Sequence, residues 1–149
     1  MRHAEKTGDM TDFHLSAAGK ARAQKLTDYI PKTFGKPDAI FAAARSHRSI
    51  RSIETVEPLA ASLGLAIQDH IEDQDYPELA ELLAKDGAYR GALVVISWQH
   101  GKLPELAEEL GAPPGSYPDP WPDETFNVII DLDYGKGLPP AVRPIVEPF

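Results

Sequence analysis

The chain has 149 residues, enough for one core that buries roughly 70% of its unfolded surface. With 23 acidic against 15 basic residues its net charge is -8, which disfavours nucleic acid as a partner, so an anionic ligand must be captured by local arginines, grouped at Arg2 and from Arg45 to Arg51. The absence of cysteine excludes disulfides, thiolate zinc sites and thiol catalysis, and no apolar run approaches the roughly 20 residues of a membrane helix.

The opening, Met1-Arg2-His3-Ala4-Glu5-Lys6-Thr7, pairs an imidazole with a guanidinium. A neutral imidazole nitrogen can take a phosphoryl group covalently and pass it to water, while arginine offers a planar fork of donors matched to phosphate oxygens. Taken alone, such a pair is as readily a solvated surface dipeptide. The polar residues 7 to 13 read as a loop, and Ser16 caps a helix running to about Ile30 with Leu15, Ala18, Leu26 and Tyr29 on its inner face. His14, just ahead of the cap, either reaches a ligand or is a solvated loop residue. Gly35-Lys36-Pro37 stops the helix, and Asp38 to Ala43 is a short apolar run of the kind buried in parallel sheets.

Ser46 or Ser49 can cap the next helix, whose buried face carries Ile53, Val56, Ala60 and Leu63. Arg48 and Arg51 fall in or near its first turn, where unpaired amides already attract anions. Pro58 is expected to kink or break this helix. Leu65 to Ile71 reads as a strand, followed by the acidic run Glu72-Asp73-Gln74-Asp75 and a helix begun by Pro77 with Leu79, Leu82 and Leu83 inward; Tyr76 reads as packing. Ala92 to Ser97 is the clearest strand, and His100 stands just past its carboxyl end, where ligands of open α/β sheets bind. Leu103, Leu106, Ala107 and Leu110 mark a short helix stopped by Gly111. Residues 112 to 122 hold five of the 14 prolines and read as a stiff surface loop. Phe126 to Leu132 is a further strand, and Arg143 to Val146 a short edge strand. Helices alternating with strands predict a three-layer α/β/α sandwich with a mainly parallel sheet, in a single domain over residues 1–149.

In order along the chain, the landmarks resemble those of the histidine phosphatase superfamily, the phosphoglycerate mutase-like group, in its small single-domain branch. The opening is similar to its Arg-His signature. Leu15-Ser16-Ala17-Ala18-Gly19 is similar to its first helix start, Arg51 and Glu54-Thr55-Val56-Glu57-Pro58-Leu59-Ala60 to its second arginine and helix, and Val94 to Gly101 to the strand that delivers its second histidine. The resemblance implies hydrolysis of a phosphomonoester or phosphoramidate, with His3 as nucleophile and Arg2, Arg51 and His100 binding the phosphoryl oxygens. It also implies a carboxyl group that protonates the leaving oxygen, ranked as Asp75 before Asp73. Arg48 is the fallback for Arg51; Arg45, His47 and Arg48 otherwise read as solvated basic surface.

Two guanidinium groups and an imidazolium can neutralise the transferring group, so no cofactor is expected, and the histidines lack the i, i+4 spacing of a helical zinc site. The expected partner is a phosphorylated small molecule or a phosphohistidine protein, with neither nucleic acid nor membrane involved, and the lack of a recognisable signal peptide favours the cytoplasm. The alternatives are a phosphate-binding or interaction protein with a degenerate site and, disfavoured by size, a phosphomutase. In the superfamily a central apolar strand leads into the Arg-His signature, whereas here only Met1 precedes it. The expectation is therefore a sheet lacking its first central strand, in a chain truncated or begun at the wrong methionine.

Overall fold

A computed structural model describes residues 1–149 apart from Met10 and Lys136. The elements alternate as expected: α1 (Ala17–Phe34), β1 (Ala39–Ala42), α2 (Arg51–Leu63), β2 (Ile67–Gln68), α3 (Tyr76–Lys85), β3 (Val94–Ser97), α4 (Leu103–Glu109), β4 (Val128–Asp133) and β5 (Ala141–Val146). β1 lies between β2 and β3 in a parallel sheet, with Phe41 opposite both Gln68 and Ile96, while β4 and β5 form a separate antiparallel pair.

Alternation along the strands sends side chains to two cores, one on each face. Ile40 and Ala42 pack with Leu26 and Ile30 of α1 and Val56, Leu59 and Ala60 of α2, whereas Phe41 and Ala43 pack with Leu79 of α3 and with Leu103 and Leu106 of α4. The three-layer α/β/α arrangement follows, with one pair of helices on each side of the sheet. Because the chain leaves β1 towards one face and β3 towards the other, the carboxyl ends of these neighbouring strands border a crevice.

Several local expectations are corrected. α1 continues past Ile30 to Phe34, since Pro31 removes only its own N–H and its carbonyl still accepts from Gly35 N at 3.1 Å. Its inner face is Gly19, Ala23, Leu26 and Ile30, and Ala18 is exposed. α2 runs through Pro58 without a break, held by the buried Leu59 and Ala60 that follow. The strand expected from Leu65 to Ile71 pairs only at Ile67–Gln68. The proline-rich loop is less superficial than its composition suggests, because Tyr117 and Trp121 are buried.

The sheet is in two pieces. Met1 to His3 pairs with the far end of β3: Trp98 N donates to Met1 O at 3.0 Å, and His3 N to Trp98 O at 3.1 Å. Behind this stub, among the described residues, the edges of β3 and β4 that face each other carry no partner strand. A cavity of about 1100 Å³ lies there, lined among others by Met1, Val95, Ile96, Ile129 and Ile130. β3 is accordingly only half-buried over Val94 to Ile96, although it is more continuously β-branched than the buried β1.

Candidate active site

The Arg-His stub enters the crevice beside the carboxyl end of β3, and both side chains are 1% exposed. Its position is fixed from two sides. Ala4 N donates to Thr55 Oγ1 at 2.8 Å, and that hydroxyl donates to Arg51 O at 2.7 Å, so the helix that carries Arg51 also clamps the strand that carries His3. On the other side Glu5 O accepts from Ser16 N at 2.9 Å, in the α1 cap. A Cβ on Gly19 would stand 2.3 Å from Glu5 O, so only glycine allows α1 to start this close. Glu5 also pairs with Arg22 at 2.8 Å, and Arg22 in turn pairs with the buried Glu147 at 2.5 Å. Burial alone would raise the Glu5 pKa, but the hydrogen bonds from Arg22 outweigh it and hold the carboxyl below its usual range.

His3 is set up as a neutral base with one free nitrogen. Nδ1 lies 2.7 Å from Ala4 O, and a carbonyl can only accept, so Nδ1 carries the proton and Nε2 keeps its lone pair. Burial, reinforced by Arg2 and Arg51 and opposed by the Ala4 hydrogen bond, lowers its pKa to about 3. The His100 ring is 6.4 Å away, edge to face. Its pKa is also lowered, by burial first and then by Arg2. His100 Nε2 is 3.1 Å from Asp123 Oδ1, which fixes the donor proton on Nε2.

Arg2 has its guanidinium 3.9 Å from the centre of the Phe126 ring, and Nη1 donates to Asp123 O, to Pro122 O at 3.3 Å and to Thr125 O at 3.5 Å. Nε and Nη2 are buried without a protein partner among the described residues. Burial lowers the Arg2 pKa to about 10, which still leaves it charged near neutrality. A buried cation with two unused donors is a strong anion-binding feature.

Arg51, at the first turn of α2, donates through Nε to His14 O at 3.0 Å and through Nη2 to Asp12 O. His3, His100 and Arg2 thus lie close together although they are spread over almost a hundred positions of sequence, and the charge of Arg51 acts on both His3 and Arg2. The remaining candidates make no hydrogen bond or ion pair to His3 or His100 among the described residues. Asp75 is exposed at the head of α3 and has no hydrogen bond or ion pair to His3 or His100. Asp73 accepts from the Trp98 indole through its backbone at 3.0 Å. Arg45, His47 and Arg48 are exposed. His14 pairs with Glu54 at 2.6 Å and so ties the loop to α2. Sequence reasoning missed Asp123 and Phe126: nothing in the Trp-Pro-Asp context signals that this loop folds back over residues more than a hundred positions upstream. Thr55 was visible only as part of a motif.

No protein-family profile matches the sequence, and no curated protein is similar to it. Solved structures do match in shape. A protein histidine phosphatase SixA complexed with tungstate superposes with a TM-score of 0.62 at 16% identity, over 98% of this chain and 94% of that one. A structure from Agrobacterium tumefaciens, described as a phosphohistidine phosphatase SixA, gives 0.62 at 20% identity, over 97% and 92%. A mycobacterial glucosyl-3-phosphoglycerate phosphatase with inorganic phosphate gives 0.58 at 16% identity, over 98% and 93%. The three-layer α/β/α fold is shared with these phosphatase structures.

Proposed function

We propose that this chain is a phosphatase that hydrolyses a phosphomonoester or phosphoramidate through a phosphohistidine on His3. The observation that carries the reading is the buried, neutral His3, whose Nε2 lone pair is unengaged, next to an Arg2 guanidinium with two donors to spare. In the first step Nε2 attacks phosphorus, a P–N bond forms, and the bond to the leaving oxygen or nitrogen breaks with its electron pair. In the second step water attacks the same phosphorus, the P–N bond breaks, and inorganic phosphate and neutral His3 are released. Arg2, Arg51 and His100 hold the non-bridging oxygens throughout, where donors fixed in a water-poor crevice stabilise charge best. The proton for a leaving oxygen is assigned to Asp75, or failing that to Asp73.

The named activities of the structures with this fold favour phosphohistidine proteins and phosphorylated small metabolites as substrate classes. Incubation with an aryl phosphate, phosphohistidine peptides and phosphorylated metabolites is expected to release phosphate with at least one of them. Rapid quench should trap acid-labile, alkali-stable label that disappears in His3→Ala. Asp75→Asn should slow poor leaving groups more than the aryl one. Acid-stable label would sink the histidine mechanism, and phosphate binding without turnover would favour the binding-protein alternative.

A further inference from the structure

Residues 121–126 lie across the crevice and engage the donors a phosphoryl group would need. Trp121 is buried and donates through Nε1 to Thr125 O at 2.9 Å, and Thr125 N donates to Pro122 O at 3.1 Å, so the segment is a closed turn rather than a loose tail. One residue of that turn meets two donors at once: Asp123 O accepts from Arg2 Nη1, and Asp123 Oδ1 accepts from His100 Nε2 at 3.1 Å. Its side chain is 79% exposed, so water surrounds the carboxylate on the outer side. Phe126 completes the cover, lying over Arg2 with its ring 6.2 Å from that of His3. Beneath, Arg2 Nε and Nη2 and His100 Nδ1 are buried and have no partner among the described residues, a poor arrangement for a site at rest.

We propose that Asp123 is an internal competitor for the phosphoryl site, so that the 121–126 turn is an autoinhibitory strap which an oxyanion must lift. The inference rests on the phosphatase reading for the identity of the anion. An anion entering the crevice exchanges an exposed, well-hydrated carboxylate on His100 for its own oxygen, and it satisfies the idle nitrogens of Arg2 as well. The strap then selects by charge density: a dianionic phosphoryl group can displace Asp123, whereas a carboxylate offers no more than Asp123 already supplies. Apparent affinity is reduced by the fraction of molecules with the strap closed, and variants that weaken the strap remove that reduction.

Calorimetric titration with inorganic phosphate tests this without requiring turnover. Asp123→Ala, which frees His100, should bind phosphate about tenfold more tightly than the wild type. Asp123→Asn, which keeps a hydrogen bond but loses the charge, should lie between them. Phe126→Ala, which uncovers Arg2 without touching His100, should also tighten binding. Unchanged or weaker binding in both Asp123→Ala and Phe126→Ala, with the wild type still binding phosphate, would overturn the strap and leave the phosphatase reading intact. Absence of phosphate binding in the wild type and in all the variants would sink both.

Discussion

His3 owes its chemical state to being buried, and the same burial links the proposed nucleophile to stability. Its pKa lies near 6.5 in an unfolded chain and about 3 in the fold, so between these values the unfolded state binds a proton that the folded state refuses. The contribution is fully present above pH 6.5 and is lost as the pH falls towards 3, at up to about 1.4 kcal/mol per pH unit. Urea unfolding measured from pH 7 to pH 4 should therefore show a declining free energy that flattens in His3→Gln. Equal slopes in the two proteins would show that His3 is not buried as a neutral group. Turnover, by contrast, should show no loss of nucleophile near pH 6.5, since Nε2 is already deprotonated well below it.

Thr55 joins two parts of the site, through Ala4 on the signature strand and Arg51 on α2. Thr55→Val keeps the shape but leaves the Ala4 amide buried and unpaired, at a cost of about 1 to 3 kcal/mol. It should also lower kcat/KM beyond what the lost stability explains, because His3 and Arg51 lose their common tether; a loss of stability with unchanged kcat/KM would make Thr55 merely structural. Much of this framework was legible in the sequence, and the physical reasons are specific. β1 and β3 are short apolar runs ended by turn chemistry, and the inner faces of α2 and α4 follow helical spacing, so each element declares itself locally. Arg2, His3, Arg51 and His100 could be grouped because four motifs recur in a fixed order. Long-range polar pairing has no local signature: the Glu5–Arg22–Glu147 chain and the Asp123 contacts join residues separated by up to 125 positions. β2 is shorter than its sequence predicts, because Leu65 to Ile71 alternates loosely while only two residues find a partner strand.

At the scale of the molecule, β3 and β4 flank a cavity rather than pairing with each other. Both flanking edges expose backbone groups to a cavity of about 1100 Å³, and apolar side chains line it on both faces of the sheet. Open strand edges with exposed apolar side chains invite pairing with other chains. Met1 stands at the head of the slot, its amino group donating to Ile96 O at 2.9 Å although burial disfavours the charge. An amide nitrogen at this position would keep the hydrogen bond and remove the buried charge. An added segment of about five β-branched residues ahead of Met1 would then run along β3 at the usual strand spacing and bring β4 into one continuous sheet. Such an extension is expected to raise the melting temperature, reduce binding of a hydrophobic dye and speed phosphatase turnover by holding His3 more firmly. A Gly-Ser extension of equal length, with no side chains to fill the cavity, should change none of the three. If the apolar and the Gly-Ser extensions behave alike, the cavity is not strand-shaped and the two halves of the sheet are held together by the helices alone.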